Sequence, residues 1–250
     1  ERASLSREMV TTRSAAETER VRITLLASVS HDFRTPLSSI LGAATSLIEF
    51  GNKLDSDARR NLLDQIKDEA EGLDDMVRNL LAITRIDAGA LELRLDWIDL
   101  RDIAGRVVSR AKRHGAVQHF TTRIPKELPL VRADATLVEQ AVNNIVRNAV
   151  AHTPLDTRIA IEAATSPGRL ALTITDDGPG ISPAILPHVF EKFIRGHDSE
   201  ADGGQGTGLG LAIAKGIMEA HHGSIAAASP TELSRGTRIT MIFPHADNSA

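Results

Sequence analysis

The spacing of apolar residues up to about position 90 is helical. Apolar side chains recur at steps of three and four on both sides of a short polar stretch, Phe50 to Ser56, which predicts two long helices joined by a loop. Each helix carries an apolar stripe that is too wide for its neighbour alone to cover. We therefore expect an all-α helical hairpin that dimerises through this stripe into a four-helix bundle.

Beyond Gly89 the apolar pattern alternates instead. Residues spaced by two, from Leu91 to Trp97, predict a first strand. Helices are predicted at 100–112, 135–151 and 208–220, and further strands at 119–124, 130–132, 158–163, 169–175, 224–228 and 237–243. This half predicts an α/β two-layer sandwich, with mixed strands on one side and helices on the other.

The change of pattern divides the chain into predicted segments. They are an N-terminal linker helix (1–19), a helical domain (20–89), a sandwich domain (90–245) and a tail (246–250). The sequence begins at Glu1 rather than Met, so we expect a piece of a longer protein.

Composition and charge exclude several classes of protein. The 250 residues include no cysteine, which excludes disulfide frameworks, thiolate metal clusters and cysteine nucleophiles. A net charge of −4 offers no field that would attract nucleic acid or an anionic membrane. No stretch reaches the roughly 18 consecutive apolar residues of a membrane span, so we expect no membrane contact by this piece.

The first candidate chemistry lies inside the first predicted helix. Pro36 removes the hydrogen bond to the carbonyl of Asp32 and favours a kink beside His31, which a helix meant only for packing would avoid. His31 and Thr35 share a face, and Asp32 can take a proton from the imidazole. A neutral imidazole is a competent phosphoryl acceptor when a base holds its other nitrogen. The alternative is a solvent-exposed His–Asp pair.

Two polar motifs follow in the second half. Asn144 and Asn148 lie four apart on one predicted helix face, where carboxamide oxygens suit Mg²⁺ or its waters. Asp176 ends a strand, and its carboxylate can accept a hydrogen bond from an exocyclic amine such as that of adenine. Gly178 and Gly180 permit a tight turn and close approach to a flat ligand. Solvated asparagines and an ordinary turn are the alternatives.

A glycine-rich run leads into the last predicted helix. Its backbone amides suit phosphate groups, although it lacks the lysine of a Walker loop and the preceding strand of a Rossmann fingerprint. The positions singled out in it are Gly206, Thr207, Gly208, Leu209 and Gly210. The polar stretch before the run predicts a mobile lid whose Lys192 and Arg195 reach phosphates; a solvated loop is the alternative.

In this order, the four motifs resemble the transmitter core of bacterial two-component sensor histidine kinases. That family joins a dimerisation and phosphoacceptor domain (HisKA) to an ATP-binding domain of the Bergerat fold (HATPase_c). The resemblance covers nearly all of residues 20–245. Residues 95–100 and 190–196 most resemble the potassium-responsive Kdp-type kinases.

The resemblance implies a role for the helical motif and a reaction. His31 would be the phosphoacceptor, Asp32 its base, and Thr35 the group that positions water for dephosphorylating a partner's phospho-aspartate. The imidazole would attack the γ-phosphoryl group of ATP in line, with Mg²⁺ and backbone amides stabilising the charge. The phosphoryl group would then pass to the aspartate of a response-regulator receiver domain.

The resemblance also implies roles in the nucleotide pocket. Asn148 would bind Mg²⁺ with Asn144 assisting, and Asp176 would recognise the adenine amine. The residues that would shape the adenine pocket, the lid and the phosphate cradle are Gly178, Gly180, Lys192, Arg195, Gly206, Thr207, Gly208, Leu209 and Gly210.

The sequence departs from the family pattern at two positions. Arg147 and Ala151 stand where many members carry an acidic and a basic residue. The basic contact to phosphate that Ala151 lacks could come from Arg147, His152, Lys192 or Arg195 instead.

Two other functions compete with the kinase. A hydrolytic ATPase of the same superfamily would carry a glutamate four residues before the magnesium asparagine, where this chain has Asn144. A degenerate, non-catalytic dimeric scaffold would only bind a partner, but all the motif residues are present. For the kinase we expect a cytoplasmic location, in a parent protein that can be anchored in the inner membrane.

Overall fold

The computed structural model describes residues 33–194, 208–231 and 235–244. The chain forms two compact units, divided within a long helix between Met76 and Val77. The predicted domain boundary near Gly89 stays a prediction, and segments 1–19 and 246–250 lie outside the described residues.

Two helices joined by a short turn make up the N-terminal part. They are α1 (residues 33–50) and α2 (Ser56–Asp87). Asp55 caps the start of α2, because its Oδ1 accepts a hydrogen bond from the backbone N–H of Ala58 (2.7 Å). The side chain of Gln65 on α2 donates to Ser39 Oγ on α1 (2.9 Å). The predicted hairpin and its loop are confirmed.

The remaining chain contains three helices, seven strands and one short 3₁₀ turn within the described ranges. The helices are α3 (Leu100–Arg113), α4 (Ala135–Ala151) and α5 (Gly210–Ala220), and the 3₁₀ turn is Leu186–His188. The strands are β1 (Asp96–Ile98), β2 (His119–Arg123), β3 (Val131–Ala133), β4 (Arg158–Ser166), β5 (Arg169–Asp176), β6 (Ser224–Ala228) and β7 (Arg238–Pro244).

Five of the strands form one mixed sheet in the order β2-β4-β5-β7-β6. β2 runs parallel to β4, and the other neighbours are antiparallel. Burial alternates along β5 and β7, so every second side chain enters the core. The helices supply the other half of that core with side chains that include Ile103, Val138, Ile145, Ile213 and Ile217. The predicted two-layer sandwich is therefore confirmed.

The first strand of the sandwich is shorter than the alternation predicted. The structure forms β1 only at Asp96–Ile98, paired antiparallel with β3, and residues 91–95 are not in a strand. The reason is that β3 offers only three residues for pairing, so the leucines before Asp96 have no backbone ladder to join. The prediction of a strand from Leu91 was wrong.

Helix α4, which carries both predicted asparagines, is anchored at its start by Asp134. Its Oδ1 accepts from the backbone N–H of Thr136 (3.0 Å) and Leu137 (3.1 Å), which satisfies two amides of the first turn. Its Oδ2 accepts from Arg94 N (2.9 Å), and its own N–H donates to Nε2 of the buried His221 (3.0 Å). These bonds fix the position of α4 in the layer.

No helix among the described residues combines the length and the apolar character that crossing a bilayer requires.

Candidate functional site

A buried carboxylate lies where β5 ends. Asp176 is 7% exposed, and its Oδ1 accepts hydrogen bonds from the backbone N–H of Gly178 (3.0 Å) and of Thr237 (3.1 Å). Burial raises the pKa of this carboxyl, and the two backbone bonds oppose that shift. Within the described residues no hydrogen bond reaches Oδ2. The arrangement fixes the plane of the carboxylate and leaves Oδ2 as an acceptor for a ligand.

The turn after Asp176 is packed too closely for side chains. A Cβ on Gly178 would lie 2.5 Å from Thr153 Cγ2. The hydroxyl of Thr153 donates to Ala149 O (2.7 Å) at the end of α4, which directs its methyl group at the turn. Gly180 has a φ of +87°, a conformation that favours glycine. The turn is thus seated against the C-terminal end of the asparagine-bearing helix.

The residues just before β7 form the other side of this site. A Cβ on Gly236 would overlap the backbone oxygen of Asp176. Thr237, the next residue, both donates to the Asp176 carboxylate and accepts from the Asp176 backbone N–H (2.9 Å). Gly236 therefore lets the chain pass directly against the acidic residue.

The predicted asparagines share one face of α4. Asn144 is 5% exposed, and among the described residues its buried Nδ2 has no hydrogen-bond partner. A Cβ on Gly210, the first residue of α5, would lie 3.6 Å from Asn144 Cβ. Asn148, one turn along, is half-buried. The structure thus brings Asn144 to the start of the helix that follows the glycine-rich run.

The two ends of the predicted lid meet in the structure. Phe193 N–H donates to Gly208 O (2.9 Å), and a Cβ on Gly208 would lie 2.8 Å from Phe193 Cα. Leu209, the next residue, is buried in the core. The predicted α5 began at Gly208, whereas the observed helix begins at Gly210.

Lys192, at the first end of the lid, forms an ion pair in this structure. Its Nζ lies 2.5 Å from Oδ1 of Asp87, the last residue of α2. Its predicted contact with phosphates stays a prediction.

Six further residues carry predictions from the sequence. Thr35 is exposed on α1. The other five, His31, Asp32, Arg195, Gly206 and Thr207, lie outside the described residues. Of the predicted residues, the structure brings Asn144 next to Gly210, and it brings Asp176 next to Gly178.

Sequence reasoning missed four residues of the site, Thr153, Ser229, Gly236 and Thr237. Ser229 Oγ accepts from the backbone N–H of Ile181 (2.8 Å) and donates to Gly236 O (2.9 Å), so it joins both segments around Asp176. In the sequence, the available sign of this part of the site was the glycine and the threonine just before the final strand. Only the pairing of β5 with β7 shows that they lie beside Asp176.

Comparison with protein families matches two regions of the chain. Residues 21–89 match the His Kinase A (phospho-acceptor) domain, and His31 lies within them. Residues 133–247 match the histidine kinase-, DNA gyrase B- and HSP90-like ATPase domain. The chain therefore carries a domain of an ATP-binding type, and Asp176 lies in that domain.

Comparison with solved structures gives a likeness to the mycobacterial sensor histidine kinase MprB. The two are 30% identical with a TM-score of 0.52, over 60% of this chain and 97% of that one. This chain belongs to the sensor histidine kinases. The kinase also resembles the sensor protein KdpD of Clostridium acetobutylicum, with 33% identity over 92% of this chain and 25% of the relative. The predicted likeness to Kdp-type kinases is confirmed.

The fold of the kinase is shared with a solved complex as well. It resembles histidine kinase ThkA, determined in complex with the response regulator protein TrrA, at 21% identity with a TM-score of 0.58, over 92% of this chain and 65% of that one. The chain spans about a quarter of the length of KdpD.

Proposed function

We propose that this chain transfers the γ-phosphoryl group of ATP to His31 and then passes it to an aspartate of a response-regulator receiver domain. The proposal rests on one observation. The same chain joins a phospho-acceptor domain, which contains His31, to an ATPase domain with a fixed, buried carboxylate at Asp176. Neither part alone would distinguish a kinase from a simple nucleotide-binding protein.

Asp176 recognises the adenine. Because Oδ1 is held by two backbone amides, Oδ2 keeps one orientation and can accept a hydrogen bond from the exocyclic amine. The glycines after Asp176 allow the flat base to approach the backbone. Guanine and hypoxanthine carry an oxygen at the position of that amine, and this oxygen would face the carboxylate without a proton to share.

The face of α4 that carries the two asparagines suits the phosphates and Mg²⁺. The buried Nδ2 of Asn144 has no hydrogen-bond partner in the described part of the chain, and as a donor it fits a phosphate oxygen better than a cation. Asn148 is then the residue of the pair that holds Mg²⁺ through its carboxamide oxygen. Mg²⁺ usually keeps several waters and needs few protein ligands beside substrate phosphates. When bound, the ion neutralises charge on the phosphates. Gly206, Thr207, Gly208, Leu209, Gly210 and Arg195 complete the proposed phosphate contacts.

The transfer step is a displacement at phosphorus. A ring nitrogen of His31 forms the N–P bond while the bond from the γ-phosphorus to the bridging oxygen breaks, and ADP leaves. Asp32 takes the proton from the other ring nitrogen. Asn144 stands where a hydrolytic relative would carry a glutamate base, so water has no activating group at that position. These features support histidine phosphorylation over ATP hydrolysis.

The hairpin supports a homodimer and provides the partner surface. Leu41 and Ile48 on α1 are 68% and 84% exposed in the single chain, more apolar exposure than a helix normally leaves to water. A second hairpin would cover them and complete a four-helix bundle. We place the receiver domain on this bundle and assign Thr35 to positioning water for the reverse, phosphatase reaction. The cytoplasm, where ATP is supplied, is the proposed location.

Labelled ATP distinguishes this function from its two competitors. Incubation with ATP labelled at the γ-phosphate is expected to leave label on the protein, in an acid-labile and alkali-stable form. Release of labelled phosphate without labelled protein would instead support the hydrolytic ATPase. Failure to bind ATP in calorimetry would support the non-catalytic scaffold.

A further inference from the structure

The hydroxyl of Ser229 joins the two segments that hold the adenine-recognising carboxylate. Its oxygen accepts a hydrogen bond from the backbone N–H of Ile181 (2.8 Å), in the turn after β5. The same hydroxyl donates to the backbone oxygen of Gly236 (2.9 Å), in the loop before β7. Ser229 itself follows β6, so one side chain ties the end of β6 both to the turn after β5 and to the residues just before β7.

Each of these segments supplies one of the two amides that orient Asp176. The turn held by Ser229 through Ile181 contains Gly178, whose N–H donates to Asp176 Oδ1 (3.0 Å). The loop held through Gly236 continues into Thr237, whose N–H donates to the same oxygen (3.1 Å). Ser229 therefore acts on both hydrogen bonds at once, although it makes no bond to the carboxylate itself.

The packing around Ser229 depends on its small size. A Cβ on Gly180 would lie 2.6 Å from Ser229 Oγ and 3.2 Å from Gly236 O. The hydroxyl thus fills the space between the turn and the loop, and the turn needs a glycine at this position. Removing the hydroxyl would take from one backbone N–H and one backbone oxygen the partner that they have among the described residues, which costs free energy unless both segments shift to find water.

We propose that Ser229 is a positioning residue for adenine recognition, because it fixes the two amides that set the orientation of the Asp176 carboxylate. The inference rests on the proposed role of Asp176 as the group that accepts the adenine amine. We expect Ser229 to touch neither the nucleotide nor the reacting atoms, so its effect should fall on the choice of base and not on the phosphates.

The test compares the affinities of two nucleotides that differ at one functional group. Calorimetry measures the Kd of ADP and of inosine diphosphate, in the presence of Mg²⁺, for the chain and for Ser229→Ala. The diphosphates carry no γ-phosphoryl group that could be transferred. Because a hydrogen bond to a charged group is involved, the parent chain is expected to prefer ADP by about tenfold or more. In Ser229→Ala the preference should fall at least about threefold, mainly through weaker ADP binding.

Two variants serve as controls. Ser224→Ala removes an exposed serine at the other end of β6 and should leave the preference unchanged. Ser229→Cys puts a somewhat larger thiol, a weak donor and acceptor, in place of the hydroxyl, so it should lower the preference while keeping the space beside Gly180 occupied. If Ser229→Ala does not fold by circular dichroism, Ser229→Cys carries the test.

The outcomes separate this inference from the proposed function. A preference for ADP that survives both Ser229 substitutions would contradict the positioning role and leave the role of Asp176 intact. Equal loss of affinity for both nucleotides would assign Ser229 to general stability and would also contradict it. A parent chain that shows no preference, unchanged by Asp176→Asn, would refute adenine recognition by Asp176 itself.

Discussion

At the scale of single residues, the site keeps a carboxylate where burial opposes its charge. Burial raises the pKa of Asp176, although two backbone amides stabilise the ionised form. A residue chosen for stability alone would be neutral here. The charged acceptor is therefore explained by ligand recognition better than by the fold, a common feature of functional sites.

Asp176→Asn should separate these two effects. An asparagine can offer its oxygen to the same two amides, but its NH₂ group replaces the Oδ2 acceptor that the adenine amine needs. We expect ATP affinity to fall about tenfold or more, since the lost bond involves a charged group. Calorimetry measures the affinity, and urea unfolding should show that the variant stays folded.

Comparison of the parent chain with Asp176→Asn should also reveal a pH dependence of the free energy of unfolding. The folded-state pKa of Asp176 is raised, so the folded protein holds this proton at pH values where the unfolded chain, with a pKa of 3.8, has lost it. The contribution of Asp176 to stability is thus present below the unfolded pKa and lost as pH rises through the folded pKa. Relative to Asp176→Asn, the parent should lose stability across that window and then level off. A difference that is constant with pH would contradict the pKa shift.

Thr35 is the residue to which we assign the proposed phosphatase role. It is exposed on α1, four positions after His31, and carries a hydroxyl that can hold a water. Thr35→Ala should spare autophosphorylation and lower dephosphorylation of a phosphorylated receiver domain about tenfold or more, the usual scale of a lost catalytic contact. Ser38→Ala, at another exposed hydroxyl on α1, is the matched control. Equal loss of both activities in Thr35→Ala would remove this role.

Among the helices and strands, the spacing of apolar residues predicted the features that depend on neighbouring residues in the sequence. The hairpin loop after Phe50 and the β4–β5 hairpin agree with turn residues and helical or alternating spacing. Long-range pairing was not predictable: the parallel β2–β4 contact and the short β1–β3 pair depend on which strands meet in the sheet. The same limit explains why Asp176 was found from its turn, whereas Ser229 and Thr237 were found only once β5 and β7 were seen side by side.

The last turn of α2 packs on α5 at a position that requires glycine. Both elements belong to the second compact unit there, and a Cβ on Gly216 would lie 2.6 Å from Ile86 Cγ2. Gly216→Ala should destabilise the chain by about 1–3 kcal/mol through overpacking. In an Ile86→Ala background the same change should be neutral or stabilising, because the space is then free. Urea unfolding of the four chains measures the coupling.

Gly105→Ala is the matched control for this prediction. Gly105 lies in α3, and no described residue outside its own stretch of helix has an atom within 4 Å of an added Cβ, so alanine there should stabilise the helix by about 0.5–1 kcal/mol. If Gly216→Ala stabilised the chain as Gly105→Ala does, the packing of Ile86 on α5 would not limit this position.

At the scale of the whole molecule, the exposed apolar residues of the hairpin predict a dimer. Ile48→Glu places a charge on a side chain that is 84% exposed in the single chain, and a second hairpin would have to bury that charge. Light scattering should show a change from the mass of two chains to that of one, with ADP affinity unchanged. Val117→Glu, at an exposed apolar residue outside the hairpin, should remain dimeric. A parent chain that is already monomeric at high concentration would contradict the bundle.

We expect one chain to contain both the ATP site at Asp176 and the phosphoryl acceptor at His31. Mass spectrometry can map the phosphoryl group after incubation with Mg²⁺ and ATP, under alkaline conditions that preserve phosphohistidine. We predict modification at His31 in the parent chain, its abolition in His31→Ala, and its retention in His119→Ala, which removes an exposed histidine on β2. A phosphoryl group on another residue, or undiminished labelling in His31→Ala, would contradict the account.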